Sequence, residues 1–229
     1  MGARQITLLD ASSEMLEIAK CKLSDCIASG MVKKVVEAKM PPIPFPDETF
    51  DVVMFNLVLN HLDRGNPAFP NNVNTLKESV RILEPDGLII VSTVLSTTLS
   101  RVLWFSQLNM ELTNRFNATI LPSVEQFEKM FEDAGIKCIQ KLNILGSDLY
   151  KSYYNLNGPL DESWRKPSAY WSFATTEEVA TAVQKVKVLK DKGEYEQWVK
   201  EHDHTKSSGV LTIFFCTPLP TQKDTPLAT

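Results

Sequence analysis

The stretch PFPDETFDVVMFNLVLNHL, residues 44–62, determines the fold class that this sequence predicts. Within it, Asp51 leads into the apolar run Val52–Phe55, which stops at the polar Asn56. A continuous apolar run of this length is typical of a strand buried on both faces in a parallel sheet covered by helices. Ligands of such open sheets bind beyond the carboxyl ends of the strands. We therefore expect a functional site beside Asn56 and the following Asn60 and His61.

The composition indicates an ordinary globular protein. The chain has 229 residues, of which 43% are hydrophobic and 23% are charged, enough for one substantial core with an appended subdomain. Its formal net charge is -4, with a sequence pI near 5.5 and no block of lysine or arginine. This charge argues against nucleic acid or anionic lipid as a partner.

The sequence contains neither an apolar run near the roughly 20 residues that span a bilayer nor the apolar stretch of a signal peptide. We therefore expect a cytoplasmic protein without membrane contact. Two of the four cysteines, Cys21 and Cys26, are close enough in sequence to be neighbours on a helix. Because no histidine stands nearby at ligand spacing, reduced thiols are favoured over a disulfide or a metal site, and no metal is predicted.

Strand and helix signals alternate before the central stretch and after it. Ile6–Leu9 predicts a strand that ends at Asp10, and Ser12 and Ser13 are candidate N-caps for the helix that follows. That helix would bury a stripe of residues that includes Met15, Leu16 and Ile18. Further strands are predicted at 32–38, 88–92, 136–145 and 210–216, and further helices at 73–83 and 123–134. This order predicts an α/β fold with a mostly parallel sheet.

The last two strands are separated by about sixty residues, far more than a hairpin loop. We therefore predict a core at 1–146 and 209–217, a helical, aromatic-rich insertion at 147–208, and a disordered tail at 218–229. Among the rings of the insertion, Tyr153, Trp164 and Trp171 are candidates for a pocket that binds a flat or apolar molecule. Equally, the rings would serve as the private core of the inserted helices, and both interpretations stay open.

Three stretches resemble the class I S-adenosylmethionine-dependent methyltransferases, in particular the ubiquinone and menaquinone methylases. They are ITLLDASSEMLEIAK, the central stretch, and LKESVRILEPDGLIIVST, and together they cover about Ile6 to Thr93. The resemblance implies a Rossmann-like fold with an antiparallel last strand. It also implies methyl transfer from S-adenosylmethionine to a small molecule by in-line displacement.

The same resemblance implies roles for particular residues. Asp10 would accept the ribose hydroxyl hydrogens, and the other cofactor contacts would come from Ala11, Met15, Met40, Asn56 and Leu57. Two alternatives stay open, since Asp10 and Asn56 would each also suit the N-cap of a following helix. Where relatives carry an acidic residue for the adenine amine, this chain has Lys39, which cannot accept a hydrogen bond.

A larger departure concerns the first strand of the family. That strand and its glycine-rich turn should precede Asp10 by about twenty residues, but only nine residues precede it here. That strand would lie in the centre of the sheet. Without it, buried amides and carbonyls of its neighbours would lack hydrogen-bond partners, at a cost of about 1 to 3 kcal/mol each. We expect one of three outcomes: the two neighbouring strands close on each other, another chain or a second copy lends a strand, or the natural protein is longer.

His61 is the candidate catalytic residue, because an unshifted histidine pKa near 6.5 suits a general base if the acceptor must lose a proton. It would also contact the substrate, although a lone histidine after a strand is more often packed or solvated. The alternative to an enzyme is a non-catalytic, methyltransferase-like protein that binds a partner through an open sheet edge. A nucleotide-dependent oxidoreductase is disfavoured, because the central stretch and the EPDG turn suit methyltransferases better.

Overall fold

The computed structural model describes residues 5–145 and 153–220. Its strands are β1 (Ile6–Asp10), β2 (Val32–Glu37), β3 (Phe50–Asn56), β4 (Leu83–Thr93), β5 (Ile136–Ile144) and β6 (Leu211–Pro218). The helices before β5 are α1 (Ser13–Lys22), α2 (Ser24–Ala28), α3 (Pro70–Ile82), α4 (Ser96–Val102), α5 (Met110–Ile120) and α6 (Val124–Asp133). Those between β5 and β6 are α7 (Glu162–Arg165), α8 (Ala169–Phe173), α9 (Thr176–Asp191), α10 (Tyr195–His202) and α11 (Thr205–Ser208). Short 3-10 turns lie at Leu59–His61, Trp104–Leu108 and Gly158–Leu160.

The strands form two separate sheets. Four strands are ordered β3-β4-β6-β5, with β3 and β4 parallel and β6 antiparallel to both of its neighbours. The parallel pair β1-β2 forms a sheet of its own. The predicted α/β fold and the antiparallel last strand are confirmed, while parallel pairing is confined to β1-β2 and β3-β4.

The gap expected in the centre of the sheet is present. In the described part of the chain β1 pairs with β2 and β3 pairs with β4, and the two strands do not pair with each other. Direct closure of β1 on β3, the first of the three outcomes considered from the sequence, is therefore not what the chain adopts.

Local capping explains where several helices begin. The Ser12 hydroxyl accepts a hydrogen bond from the Met15 amide at 3.2 Å and caps α1, and Ser123 with Gln126 forms a complete capping box at α6. The buried Asp63 caps α3 from a distance, since its carboxylate accepts hydrogen bonds from two backbone amides in the first turn of that helix. This cap lets α3 begin at Pro70, earlier than the sequence predicted.

Two buried clusters divide the interior. The first lies where α3 and α6 cover one face of the four-stranded sheet, with Phe55, Ile89 and Phe214 at its centre. The second joins α4 and α5 to the inserted helices through residues such as Trp104 and Tyr170. The insertion therefore shares its core with residues 99–121 and has no private one. The tail predicted at 218–229 lies mostly outside the described residues.

Among the described helices, none is both long enough and apolar enough to cross a bilayer. Within the same residues, no group of three or more potential ligands is arranged to hold a metal ion.

Candidate functional site

Two strands end beside the same buried cluster. β1 ends at Asp10 and β3 ends at Asn56. The residue before each of these, Leu9 in β1 and Phe55 in β3, packs into the cluster that α3 and α6 cover. Met40, just after β2, packs against the same cluster. Met40 and the residues that precede Asp10 and Asn56 therefore pack against the same cluster, and the gathering of all the predicted cofactor residues into one site stays a prediction.

Asp10 is half-buried, and a backbone amide two residues later orients its carboxylate. Its Oδ1 accepts a hydrogen bond from the Ser12 amide at 2.8 Å, and within the described residues its Oδ2 accepts none. Ser12 is the N-cap of α1, so Asp10 does not have the capping role that was considered for it. A fixed carboxylate with one unoccupied oxygen can accept hydrogen bonds from a ligand diol without losing its orientation.

The backbone turns sharply after β3. Leu57 has a φ of 57°, in the left-handed region, and its amide donates to the Ser92 carbonyl at 2.9 Å. For a leucine this conformation costs about 1–2 kcal/mol, and such strain is concentrated at ligand sites. Asn56 is exposed, and the 3-10 turn at Leu59–His61 has Val58 at its N-cap with no side-chain bond, so Asn56 does not cap it.

Asn60, which the sequence placed beside the site, holds this turn through bonds that sequence reasoning missed. Its side chain is buried, with Oδ1 accepting from the Thr93 hydroxyl at 2.9 Å and Nδ2 donating to the Val94 carbonyl at 3.4 Å. These bonds attach the segment after β3 to the end of β4, which fixes the height of Leu57 and His61 above the sheet. The polar character of Asn60 was visible in the sequence, but its partner lies 33 residues away.

His61 keeps an exposed edge and is paired with Arg64. The Arg64 Nη2 lies 2.9 Å from His61 Nδ1, and a guanidinium can only donate in this contact. Partial desolvation of the ring by neighbouring atoms lowers the pKa of His61, and the positive charge of Arg64 lowers this pKa further. With Nδ1 accepting, the neutral ring carries its proton on Nε2 and acts as a donor there. General-base catalysis by His61, which remains a prediction, requires this pair to open.

Two cavities lie near this region. A small one of about 100 Å³ lies between the Arg64 loop and the insertion, lined by Arg64, Phe116, Ile120, Ala169, Ser172 and Phe173. A larger one of about 320 Å³ is lined by Phe69, Ser96, Asn114, Asn117, Ala118, Thr119, Ile120, Leu121 and Gln126. Neither cavity is lined by a predicted site residue, but the smaller one includes Arg64, the partner of His61, whereas the larger one has no titratable side chain. We therefore give more weight to the strand ends and to the smaller cavity.

The aromatic residues predicted to contact substrate lie around Phe105. Its ring centroid is 5.1 Å from that of Tyr153, 5.7 Å from that of Trp164 and 6.2 Å from that of Trp171. Trp171 is buried, and its indole Nε1 has no hydrogen-bond partner among the described residues. This packing favours the core interpretation, while a substrate role for the three rings remains a prediction.

Comparison with known proteins shows what the chain is similar to. Residues 1–91 match the family model described as a methyltransferase domain. The chain is 26% identical over 151 residues to a demethylmenaquinone methyltransferase of Bacillus cytotoxicus, covering 58% of this chain and 59% of that protein. It is 27% identical over 161 residues to a ubiquinone/menaquinone biosynthesis C-methyltransferase of Psychromonas ingrahamii, covering 67% and 60%. The chain thus spans about three fifths of the length of these relatives.

Solved structures confirm the predicted fold of this chain. A protein of Anabaena variabilis, described as a methyltransferase from an antibiotic biosynthesis pathway, superposes with a TM-score of 0.67 at 16% identity, covering 94% of this chain and 92% of that one. The YcgJ protein of Bacillus subtilis gives a TM-score of 0.54 at 13% identity, covering 95% and 83%. At such identities the likeness concerns the fold alone.

The family's cofactor fits one end of this site better than the other. Asp10 Oδ2 suits the ribose hydroxyls, and Met40 offers a thioether to a purine, while Lys39 is exposed and supplies no acceptor. Ala11 lies in the exposed turn that follows Asp10, and Met15 is exposed in the first turn of α1. No described residue supplies the glycine-rich turn for the methionine end. The adenosyl part therefore has candidate partners in this chain, and the methionine part has none among the described residues.

Proposed function

We propose that this chain is the adenosyl-binding part of a methyltransferase that uses S-adenosylmethionine and acts on a small molecule. The observation that carries the proposal is the carboxylate of Asp10, held by the Ser12 amide with Oδ2 unoccupied, at a strand end that shares a cluster with the end of β3. The names of the relatives and the family match agree with this assignment.

In the proposed site each residue binds or orients part of the cofactor. Asp10 accepts the two ribose hydroxyls, and Met40 packs on the adenine ring. Asn56 and the strained turn at Leu57 border the sulfonium and the methyl group. The cofactor supplies a methyl group on a good leaving group, so the chain mainly has to hold the acceptor in line and exclude water.

The acceptor is proposed to enter beside His61 and Arg64, next to the cavity of about 100 Å³. Phe116 and Phe173, with ring centroids 5.4 Å apart, give that cavity an aromatic wall, and Arg64 gives it a cation. These groups suit a small, flat acceptor with an oxygen substituent, since the cation favours developing negative charge on that oxygen.

The test is calorimetry of the chain with S-adenosylhomocysteine, the demethylated product. Asp10→Asn keeps an oxygen for the Ser12 amide but removes the charge, so the ribose contact should weaken by about 1.5–3 kcal/mol, or about 10- to 100-fold in Kd. Asp25→Asn is the matched control, because Asp25 is an exposed carboxylate at the start of α2, away from the strand ends. Equal affinities for Asp10→Asn and the wild type would contradict the assignment of Asp10.

A second candidate function has its own supporting observation. The unpaired edge of β3 suits a non-catalytic methyltransferase-like protein that binds a partner through its sheet. A wild-type chain that gives no heat with S-adenosylhomocysteine would contradict the proposed methyl transfer and favour this alternative.

A further inference from the structure

β5 and β6 bring two cysteines that are far apart in sequence to opposite positions in the sheet. The two strands are antiparallel, and Cys138 lies directly opposite Cys216 in their register. Cα atoms of opposite residues in an antiparallel pair are about 4.5 or 5.5 Å apart, and disulfides span Cα separations of about 4.4–6.8 Å. The backbone therefore already holds these two cysteines at bridging distance.

Both side chains lie on the same face of the sheet. Cys216 is a member of the cluster that α3 and α6 cover, and Cys138 packs against that cluster. The two thiols are close enough to form a hydrogen bond with each other. A bond between the two sulfur atoms therefore requires no change of strand register or of sheet face.

The two thiols differ in their access to solvent. Cys216 is fully buried on β6, which lies between β4 and β5. Burial raises the pKa of the Cys216 thiol, and the charge and the hydrogen bond of Cys138 raise this pKa further, so Cys216 stays protonated at neutral pH. Cys138 is half-buried on β5, an edge strand of the described sheet. A dissolved oxidant therefore reaches Cys138 first.

A bulge beside Cys138 interrupts the ladder between β5 and β6. The register shifts between Cys138 and Gln140, so that Ile139 has no opposite residue on β6. Ile139 is 56% exposed, and the Cys138 sulfur donates to the Gln140 carbonyl at 3.4 Å across the bulge. Because a bulge disrupts strand pairing locally, β5 can adjust around Cys138 while β6 stays in place.

We propose that Cys138 and Cys216 are a thiol pair that hydrogen peroxide converts into a disulfide, and that this bond clamps β5 onto β6. The Cys138 sulfur, as thiolate, attacks one peroxide oxygen, the O–O bond breaks, and a sulfenic acid and one water result. The Cys216 sulfur then attacks the sulfenic sulfur and gives up its proton, while the S–S bond forms, the S–O bond breaks and a second water leaves. Two thiols thus lose two electrons and two protons, and the peroxide is reduced to two waters.

The bond joins the two strands that flank the insertion. In the described sheet β5 pairs only with β6, whereas β6 is also paired with β4. The disulfide closes residues 139–215 into a loop that contains α7 to α11, and closing a long loop restricts the unfolded chain. Oxidation is therefore expected to hold β5 against β6, and a small thiol such as glutathione should release it again.

This inference rests on strand register and not on the proposed methyl transfer, so its test measures thiols and not activity. The starting protein is the full chain with Cys21→Ser and Cys26→Ser, which leaves only the pair as possible bridging partners. The folded protein is treated with hydrogen peroxide, and its remaining thiols are alkylated. Mass spectrometry then measures the whole chain and its peptides under non-reducing conditions.

The expected product is a monomer that is lighter by two hydrogens, with no alkylated thiol and with the peptides of Cys138 and Cys216 joined. A reducing agent should restore both thiols. Cys138→Ser is the matched variant, in which the buried Cys216 should remain a free thiol at the same dose of peroxide. In the oxidised chain the amides of β5 that bond to β6 should exchange about tenfold or more slowly, whereas those of β3, which β4 separates from β6, should change little.

Three outcomes would overturn the proposal. One is that both thiols stay free in the folded chain at a peroxide dose that oxidises them in urea. Another is a sulfinic acid at Cys138 beside a free Cys216, or a dimer linked through Cys138, because Cys216 would then not be its partner. The last is a disulfide that forms but leaves amide exchange in β5 unchanged, because the bond would then not act as a clamp.

Discussion

The side chain of Asn60 offers a sharp test of how the turn after β3 is held. Asn60→Leu removes both of its bonds to the end of β4 while keeping a side chain of similar size. The Thr93 hydroxyl, which is 1% exposed, then loses its acceptor at 2.9 Å and keeps only a contact of 3.4 Å to the Val94 carbonyl. A buried polar group left without a good partner costs about 1–3 kcal/mol.

We therefore expect Asn60→Leu to lower the free energy of unfolding by about 1–3 kcal/mol, and each kcal/mol corresponds to about 2–4 °C in Tm for a chain of this size. The assay is urea unfolding of the wild type, Asn60→Leu, Thr93→Val and the double variant. Asn114→Leu is the control, because Asn114 is exposed on α5 and should change stability by less than about 0.5 kcal/mol.

The double variant tests whether the side chains of Asn60 and Thr93 stabilise each other. If the two side chains stabilise each other, removing both should cost less than the sum of the single changes by about 1 kcal/mol, since neither partner is then left buried alone. Strictly additive costs would refute the argument that Asn60 fixes the turn through Thr93.

Two further predictions concern charge. The NMR titration of His61 should have its midpoint below 6.5, and Arg64→Gln should raise it, because burial and the nearby cation both disfavour the protonated ring; a midpoint that Arg64→Gln leaves unchanged would contradict the pairing. The hydrogen bond from Arg81 lowers the pKa of Glu78, so the stability that this pair contributes is present above the unfolded pKa near 4.5 and is lost as the pH falls through the folded value. The cost of Arg81→Met in urea unfolding should therefore be smaller at acid pH than at pH 7, and an equal or larger cost would contradict it.

Local signals in the sequence predicted most of the elements. The polar residue that ends each apolar run located Asp10 and Asn56, and the Ser123 and Gln126 pair located the start of α6. The prediction that the central strand is buried on both faces was wrong, since Val52 and Met54 are 48% and 56% exposed. These features depend on neighbours within a few residues, which a single sequence displays directly.

Features that depend on distant partners were not visible in the same way. The predicted buried stripe of α1 was wrong at Met15 and Ile18, which are 54% and 47% exposed and belong to neither buried cluster of the described chain. Cys138 and Cys216 are far apart in sequence, yet they lie opposite each other across β5 and β6. Likewise, the shared core of the insertion depends on packing against α4 and α5, which the aromatic composition alone did not reveal.

The central claim is that the ends of β1 and β3 together bind an adenosyl group. The most direct measurement is an NMR titration of the chain with S-adenosylhomocysteine, which detects weak as well as tight binding residue by residue. We expect the largest amide shifts at Asp10, Ala11, Asn56 and Leu57. The substitution Asp10→Asn should suppress the shifts at all four residues together. Shifts confined to the cavity beside Phe69 and Asn117, or shifts at only one of the two strand ends, would contradict it.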